Sequence, residues 1–388
     1  MVTLQTADNA LKSFYLDAVA ESLNTKVSPF LATIERTSSD VVGKDVKKNV
    51  RYGVNGGVGA GSEAGDLPAS AGNLYVQFTA PLKNLYGTIE ISDKAIRASA
   101  NNEGAFVNLL NDEMQGLIKG AKYNFSRMLF GDGTGKIATV VSQPTANIIK
   151  LDSLKNIHEG MVVDFYTETG EMISQAQARK IVYIDDLDET VTVDGPLLPA
   201  STVGPGSQMC IQGSFGVEIT GLSALFGDNA IYGTARDKEF MKPYKESCST
   251  FSELAVQTAI DAIEEKSGGK VNFIICSWGV RRAILEYYQT RGVVLPTVEL
   301  EGGYKALSFQ GIPIVVDRFC PTGTMYLLNT DDFKLHQLCD WQWLEGEDGK
   351  ILKQIPGKPV YTATLVKYAE LICSCPAGQG MLYGITEK

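Results

Sequence analysis

Residues 50–78 run VRYGVNGGVGAGSEAGDLPASAGNLYVQF, and the rest of the chain takes its meaning from them. Val50, Tyr52 and Val54 alternate with polar residues or glycine, and Leu74, Val76 and Phe78 alternate again. Period-two alternation marks a half-buried strand. Between the two runs lie Gly53, Gly56, Gly57, Gly59, Gly61, Gly65, Pro68 and Gly72. The spacing predicts an extended hairpin with a glycine-rich tip, and Leu85–Ile91 is a third strand, ended by Ser92. The tip has too few apolar residues to fold against a core of its own.

Upstream, residues 3–35 alternate only weakly and suggest an arm with a short helix, Ala10 to Leu23. Such a segment buries too little to offset its ordering entropy and must lie along something else. Downstream, Phe106, Leu109, Leu110, Met114, Leu117, Ile118, Ala121, Phe125, Met128 and Leu129 fit a 3.6-residue period. They predict one helix over Glu103–Phe130, roughly 42 Å long at the standard rise. Gly131-Asp132-Gly133-Thr134-Gly135 stops it. Gly116 and Gly120 lie one turn apart on one face of this helix. Two readings stand: close packing against a strand, or a bend point.

Residues 138–212 change character. They are rich in β-branched residues and acids, with strands expected at Met161–Tyr166, Lys180–Ile184 and Thr190–Val193. A small separate β-barrel or sandwich is implied. It holds four basic residues against ten acidic ones, a net of −6 within the chain's −10. Packed phosphates would repel so acidic a domain, so it is expected to lie away from any nucleic acid. From residue 213 the chain is mixed α/β. Thr250-Phe-Ser-Glu253 reads as a capping box, Val271–Cys276 as a buried strand, and Ser277 as the cap of a helix through Tyr288. Strands are expected at Ile312–Val316, Met325–Leu328 and, as a long final run, Tyr361–Cys375.

Composition narrows the function. Of 388 residues, 44% are hydrophobic and 21% charged, which is ordinary for globular protein. With 35 basic and 45 acidic residues, the chain lacks the basic excess of a DNA-gripping groove. No apolar run is long enough to span a membrane. The seven cysteines form no CxxC pair, which argues against a zinc site or a disulfide framework. Only His158 and His336 exist, and neither sits in a metal or triad pattern. Gly131–Lys136 imitates a phosphate loop, but Phe130 stands where the first glycine belongs, Ile137 where Ser or Thr belongs, and a helix precedes it instead of a strand. Asp185, Asp186, Asp188 and Glu189 form an acidic turn without calcium-loop spacing, read as a solvated turn or a weak cation site. No residue is therefore assigned to catalysis, cofactor binding or metal binding.

The order of elements resembles the major capsid protein of tailed bacteriophages, whose fold is shared with herpesvirus capsid proteins and encapsulins. Leu85-Tyr-Gly-Thr-Ile-Glu-Ile-Ser92 is similar to that family's strand from the extended hairpin, its E-loop, into the peripheral domain. Asn124 to Gly133 resembles the end of its spine helix, and Val271 to Val280 its axial domain. Phe309 to Arg318, with Pro321 to Leu328, resembles its G-x-P-V … P-x-G segment. The resemblance implies an α+β fold divided as N-terminal arm (1–42), E-loop and return strand (43–91), peripheral domain with spine helix (92–137), inserted β-rich domain (138–212), axial domain with peripheral-domain strands (213–360) and C-terminal peripheral-domain strand (361–388). It implies a structural, non-enzymatic subunit that assembles into hexamers and pentamers of an icosahedral or elongated capsid around dsDNA, in the cytoplasm of a host bacterium. Because Met1 leads almost directly into the arm, a separate scaffolding protein is expected, with a portal and room for a decoration protein. An encapsulin-type compartment is the alternative.

Overall fold

The computed structural model describes residues 28–63, 65–95, 103–292, 297–300, 304–346 and 349–388. The expected arm up to residue 27, with its short helix, lies outside them. The chain divides into two compact units: one joins the part up to Phe130 with Leu222–Lys388, and the other is Gly131–Gly221.

The first unit opens with α1 (Pro29–Thr33), a single turn that proline at its first position and Ser28 at its cap make possible. The strands β1 (Glu35–Thr37), β2 (Val41–Val42), β3 (Asp45–Tyr52), β4 (Leu74–Pro81) and β5 (Lys83–Ser92) follow, then α2 (Glu103–Phe130). β3 and β4 are antiparallel in unbroken register from Asp45↔Pro81 to Tyr52↔Leu74. The buried members of the hairpin are Val46, Val50, Phe78 and Ala80. All four occupy even positions and therefore share one face. That face meets its own subunit: Tyr52 stacks on Phe240 at 4.7 Å between ring centroids, and Phe78 lies 5.3 Å from the Tyr232 ring.

The second unit holds β6 (Lys136–Thr145), β7 (Ile148–Leu151), β8 (Val162–Tyr166), β9 (Arg179–Asp185), β10 (Thr190–Val193) and β11 (Gln208–Ile211). They close into a barrel in the order β10-β7-β6-β11-β8-β9, so of barrel and sandwich the barrel is what forms. Its core is its own and includes Ile149, Val163, Phe165, Ile181, Val191 and Met209. Asp164, buried, ties β8 to the chain on either side by accepting from the Ala178 N–H at 2.7 Å and the Gly213 N–H at 2.8 Å.

The first unit resumes with α3 (Leu222–Leu225), β12 (Tyr244–Ser247), α4 (Glu253–Ser267), β13 (Phe273–Cys276), α5 (Trp278–Arg291), β14 (Thr297–Leu300), β15 (Tyr304–Phe309), β16 (Ile312–Val316), β17 (Met325–Leu328), β18 (Phe333–Trp343), β19 (Lys353–Gln354), β20 (Val360–Cys373) and β21 (Gly380–Tyr383). A seven-stranded sheet runs β12-β21-β17-β13-β16-β15-β14, and the buried faces of α4 and α5 share its core through Val256, Ile260, Ile263, Val280 and Ile284. α4 begins at Glu253 with Ser252 as its cap, and the Ser252 side chain makes no capping bond. The capping box anchored on Thr250 is thus corrected: the helix starts two residues too late for Thr250 to reach its N–H groups.

A second sheet centres on β20. It pairs antiparallel with β18 and, from Val360↔Ser92 to Ala369↔Lys83, with β5, while β1 runs parallel to β18. The strand after the hairpin therefore belongs to a different sheet from β3 and β4. On β5, Leu85, Ile89 and Ile91 are buried. Gly87 lies in the same row, and a Cβ there would stand 2.7 Å from Leu117 of α2. Glycine at 87 lets the helix lie close on the sheet. At Gly116 and Gly120, by contrast, an added Cβ would meet no described atom within 4 Å, which overturns the reading that they pack closely against a strand.

Candidate assembly surfaces

Three places in the first unit fix its extensions to its body. Ser28 Oγ donates to Asp317 Oδ2 at 2.6 Å inside the protein, and Phe30, fully buried, packs edge-on against Phe333 at 5.3 Å. These contacts fix residues 28–30 to the body of the unit. At the other terminus Ile385 is buried and its N–H donates to the Gly323 carbonyl at 3.0 Å. The Glu387 carboxylate accepts from Ser277 Oγ and from the Gly323 N–H, placing negative charge at the N-terminus of α5, where the helix dipole favours it.

The third is a buried cation. Lys367 of β20 is fully buried, and its ammonium donates to Asp340 Oδ1 at 2.7 Å and Gln337 Oε1 at 2.9 Å. The rings of Phe125 from α2 and Trp341 from β18 flank it at 5.8 and 5.7 Å. Burial pulls its pKa down, and Asp340 opposes that shift. One side chain thus joins the long helix to both central strands.

The hairpin differs. Beyond Tyr52 and Leu74 a polar link joins the two limbs, Asn55 Nδ2 donating to Asn73 Oδ1 at 3.1 Å, while the Gly57 N–H donates to Asn55 Oδ1 at 2.9 Å within the first limb. Val54, Val58 and Leu67 are 90%, 87% and 91% exposed. Its outer row sets Lys47 beside Thr79, Asn49 beside Gln77 and Arg51 beside Tyr75. Among the described residues these apolar side chains stay in water.

The sequence-level candidates scatter. His158 is exposed in the barrel unit, whereas His336 is buried on β18 of the other unit. His336 Nδ1 lies 3.0 Å from the Ser39 carbonyl, and burial lowers its pKa. The Gly131–Lys136 loop spends the Thr134 N–H on its own Asp132 at 2.9 Å, so no phosphate cradle forms there. Asp185 uses its carboxylate to accept from the Leu187 and Asp188 N–H groups, closing a turn. Among the described residues no cluster of His, Cys, Asp and Glu has metal-site geometry. Lys367, Asp317 and Glu387 were not singled out by sequence reading. The signal for Lys367 was present, one of two charges, with Glu370, inside the otherwise apolar run Leu365–Cys373.

No family model matches the chain, and no curated protein does. Solved structures do. The capsid of cyanophage A-1(L) matches at 12% identity with a TM-score of 0.54, covering 98% of this chain and 96% of that one. The SrpI encapsulin of Synechococcus elongatus PCC 7942 matches at 10% identity with a TM-score of 0.49, covering 93% and 89%. The capsid of a native GTA particle matches at 12% identity with a TM-score of 0.48, covering 94% and 91%. With its hairpin, long helix, central β20 sheet, seven-stranded α/β layer and inserted barrel, the chain has the α+β fold of the tailed-phage major capsid protein.

Proposed function

We propose that this chain is the self-assembling subunit of a tailed-phage capsid, forming hexameric and pentameric rings of a shell that encloses dsDNA without reading its sequence. The observation that carries the proposal is the hairpin: on a chain with this fold, Val54, Val58 and Leu67 stand almost fully in solvent, uncovered by any other described residue, and contact with a neighbouring copy would bury them. Repeated head-to-tail contacts between identical copies close into rings, and many modest contacts add up to a stable wall. The hairpin β3–β4 acts as the E-loop, α2 as the spine helix packed on the β5–β20 sheet, and the seven-stranded layer with α4 and α5 as the axial domain. The barrel, at net −6 over residues 138–212, faces away from the genome. The role is structural, with a scaffolding protein, a portal and a decoration protein as partners, the virion as destination and the host bacterial cytoplasm as the place of assembly.

Sedimentation of the purified protein tests this. Fast-sedimenting particles above a threshold concentration support it, and a monomer at every concentration refutes it. Particle contents separate the phage reading from an encapsulin-type compartment: nuclease-protected DNA in particles from infected cells supports the first, and a packaged protein cargo supports the second.

A further inference from the structure

The barrel carries an uncovered surface of its own. Across β9, β10 and β7 the register sets Tyr183 beside Thr192 and Thr192 beside Ile148. The register slips between Thr192 and Val193, and Val182 and Tyr183 both face outward as a result. Val182 is 48% exposed, Tyr183 57%, and Leu187, at the turn into β10, 95%. This apolar strip is bordered by exposed Asp186, Asp188, Glu189 and Asp194, against one exposed base, Lys180 of β9.

The hairpin is its complement. Lys44, Lys47, Lys48 and Arg51 stand against one acid, Asp45, along its first limb. Lys47 and Arg51 lie on the outer row, with Tyr75 61% exposed beside Arg51. The inner row is already occupied by Tyr232 and Phe240 of its own subunit, so only the outer row and the tip are open to another molecule.

We infer that the β9–β10–β7 face of the barrel receives the hairpin of a neighbouring copy, apolar strip against Tyr75 and the tip valines, carboxylates against Lys47 and Arg51. The inference rests on the shell reading. It commits to a second copy because both surfaces carry uncovered apolar side chains and the basic outer row of the first limb, Lys47 and Arg51, is opposite in charge to the strip's acidic border, whereas the tip's own Glu63 and Asp66 must stay clear of that border; in a wall of identical subunits each surface finds the other. Such a contact is heterologous, the kind that closes rings. Its charged rim governs register and encounter rate more than strength.

Charge reversal tests it. K47E/R51E and D186K/D188K each change only exposed side chains, so the subunit still folds, as circular dichroism would verify. Each is expected to raise the threshold concentration for shell formation, by up to about fivefold per lost pair, the upper end for exposed ion pairs. The four-residue combination restores the wild-type threshold. A combined variant no better than the worse of its parents overturns the inference. So does impairment by one reversal without the other, which would mean that the two surfaces do not meet. As an independent readout, a photocrosslinking residue in place of Val58 should capture peptides from residues 179–194 of another copy in assembled particles; capture elsewhere overturns it. If the wild-type protein forms no particle at all, the shell reading itself fails, a result distinct from intact shells without compensation.

Discussion

Removing Asp340 strands the Lys367 ammonium. In the folded protein that ammonium is fully buried, held by Asp340 at 2.7 Å and Gln337 at 2.9 Å. Breaking a fully buried pair from one side costs about 3–5 kcal/mol. Asp340 is 38% exposed, so water already screens the pair, and Gln337 and the two flanking rings remain after the change. Asp340→Ala is therefore expected to cost about 2 kcal/mol. Lys367→Met keeps the stem's volume and removes the buried charge, and the half-exposed carboxylate left behind can hydrate. Its cost is expected to stay under about 1 kcal/mol. The double variant should resemble Lys367→Met, because the stranded charge has gone. Urea unfolding of the unassembled subunit, read by tryptophan fluorescence at constant m-value, measures all three. The reasoning is refuted if Lys367→Met costs as much as Asp340→Ala, or if the double variant is the worst of the three.

Phe30→Ala should cost about 3–5 kcal/mol, the usual range for a fully buried ring; urea unfolding checks the size of the loss. Gly135→Ala should unfold the barrel unit first, costing upwards of about 2 kcal/mol, because φ is +80° and the new Cβ collides with the Ser214 carbonyl. Gly116→Ala and Gly120→Ala, where the space is open, should each raise stability by up to about 1 kcal/mol, and calorimetry separates the two cases. Two buried groups titrate with opposite sign. His336, its pKa held below 6.5 by burial, is proton-free in the folded chain where the unfolded chain binds a proton, so its contribution to stability is lost as pH falls below about 6.5. Asp332, pushed up to about 6 by burial, keeps its proton in the folded chain after the unfolded chain has released it, so its contribution is lost as pH rises from about 4 to about 6. Asp332→Asn removes the second effect, and urea midpoints measured from pH 4 to 7 should then fall more steeply toward acid than in the wild type; an unchanged curve refutes the assignment.

Much of the fold was written in local patterns. The alternation at Val50, Tyr52, Leu74, Val76 and Phe78 was readable because a strand with one buried face must alternate, and the β3–β4 register pairs those runs directly. The span of α2 was readable because its apolar period ends at a glycine cluster. What stayed hidden depends on partners far along the chain. Lys367 is visibly out of place in an apolar strand, but Asp340 and Gln337 reach it only once β18 lies beside β20. Asp317 acquires its meaning when Ser28 arrives from 289 residues away. Gly116 and Gly120 show the opposite limit: spacing left close packing and a bend point both open, and only the surrounding space could show that no described residue packs there.

The most direct test of the shell account is a cryo-electron microscopy reconstruction of particles formed by this chain. The expected result is a closed wall of five- and six-membered rings in which the 45–81 hairpin of each copy lies against its neighbour, covering Val54, Val58 and Leu67. Open monomers, or closed particles in which those three side chains remain in solvent, would contradict it.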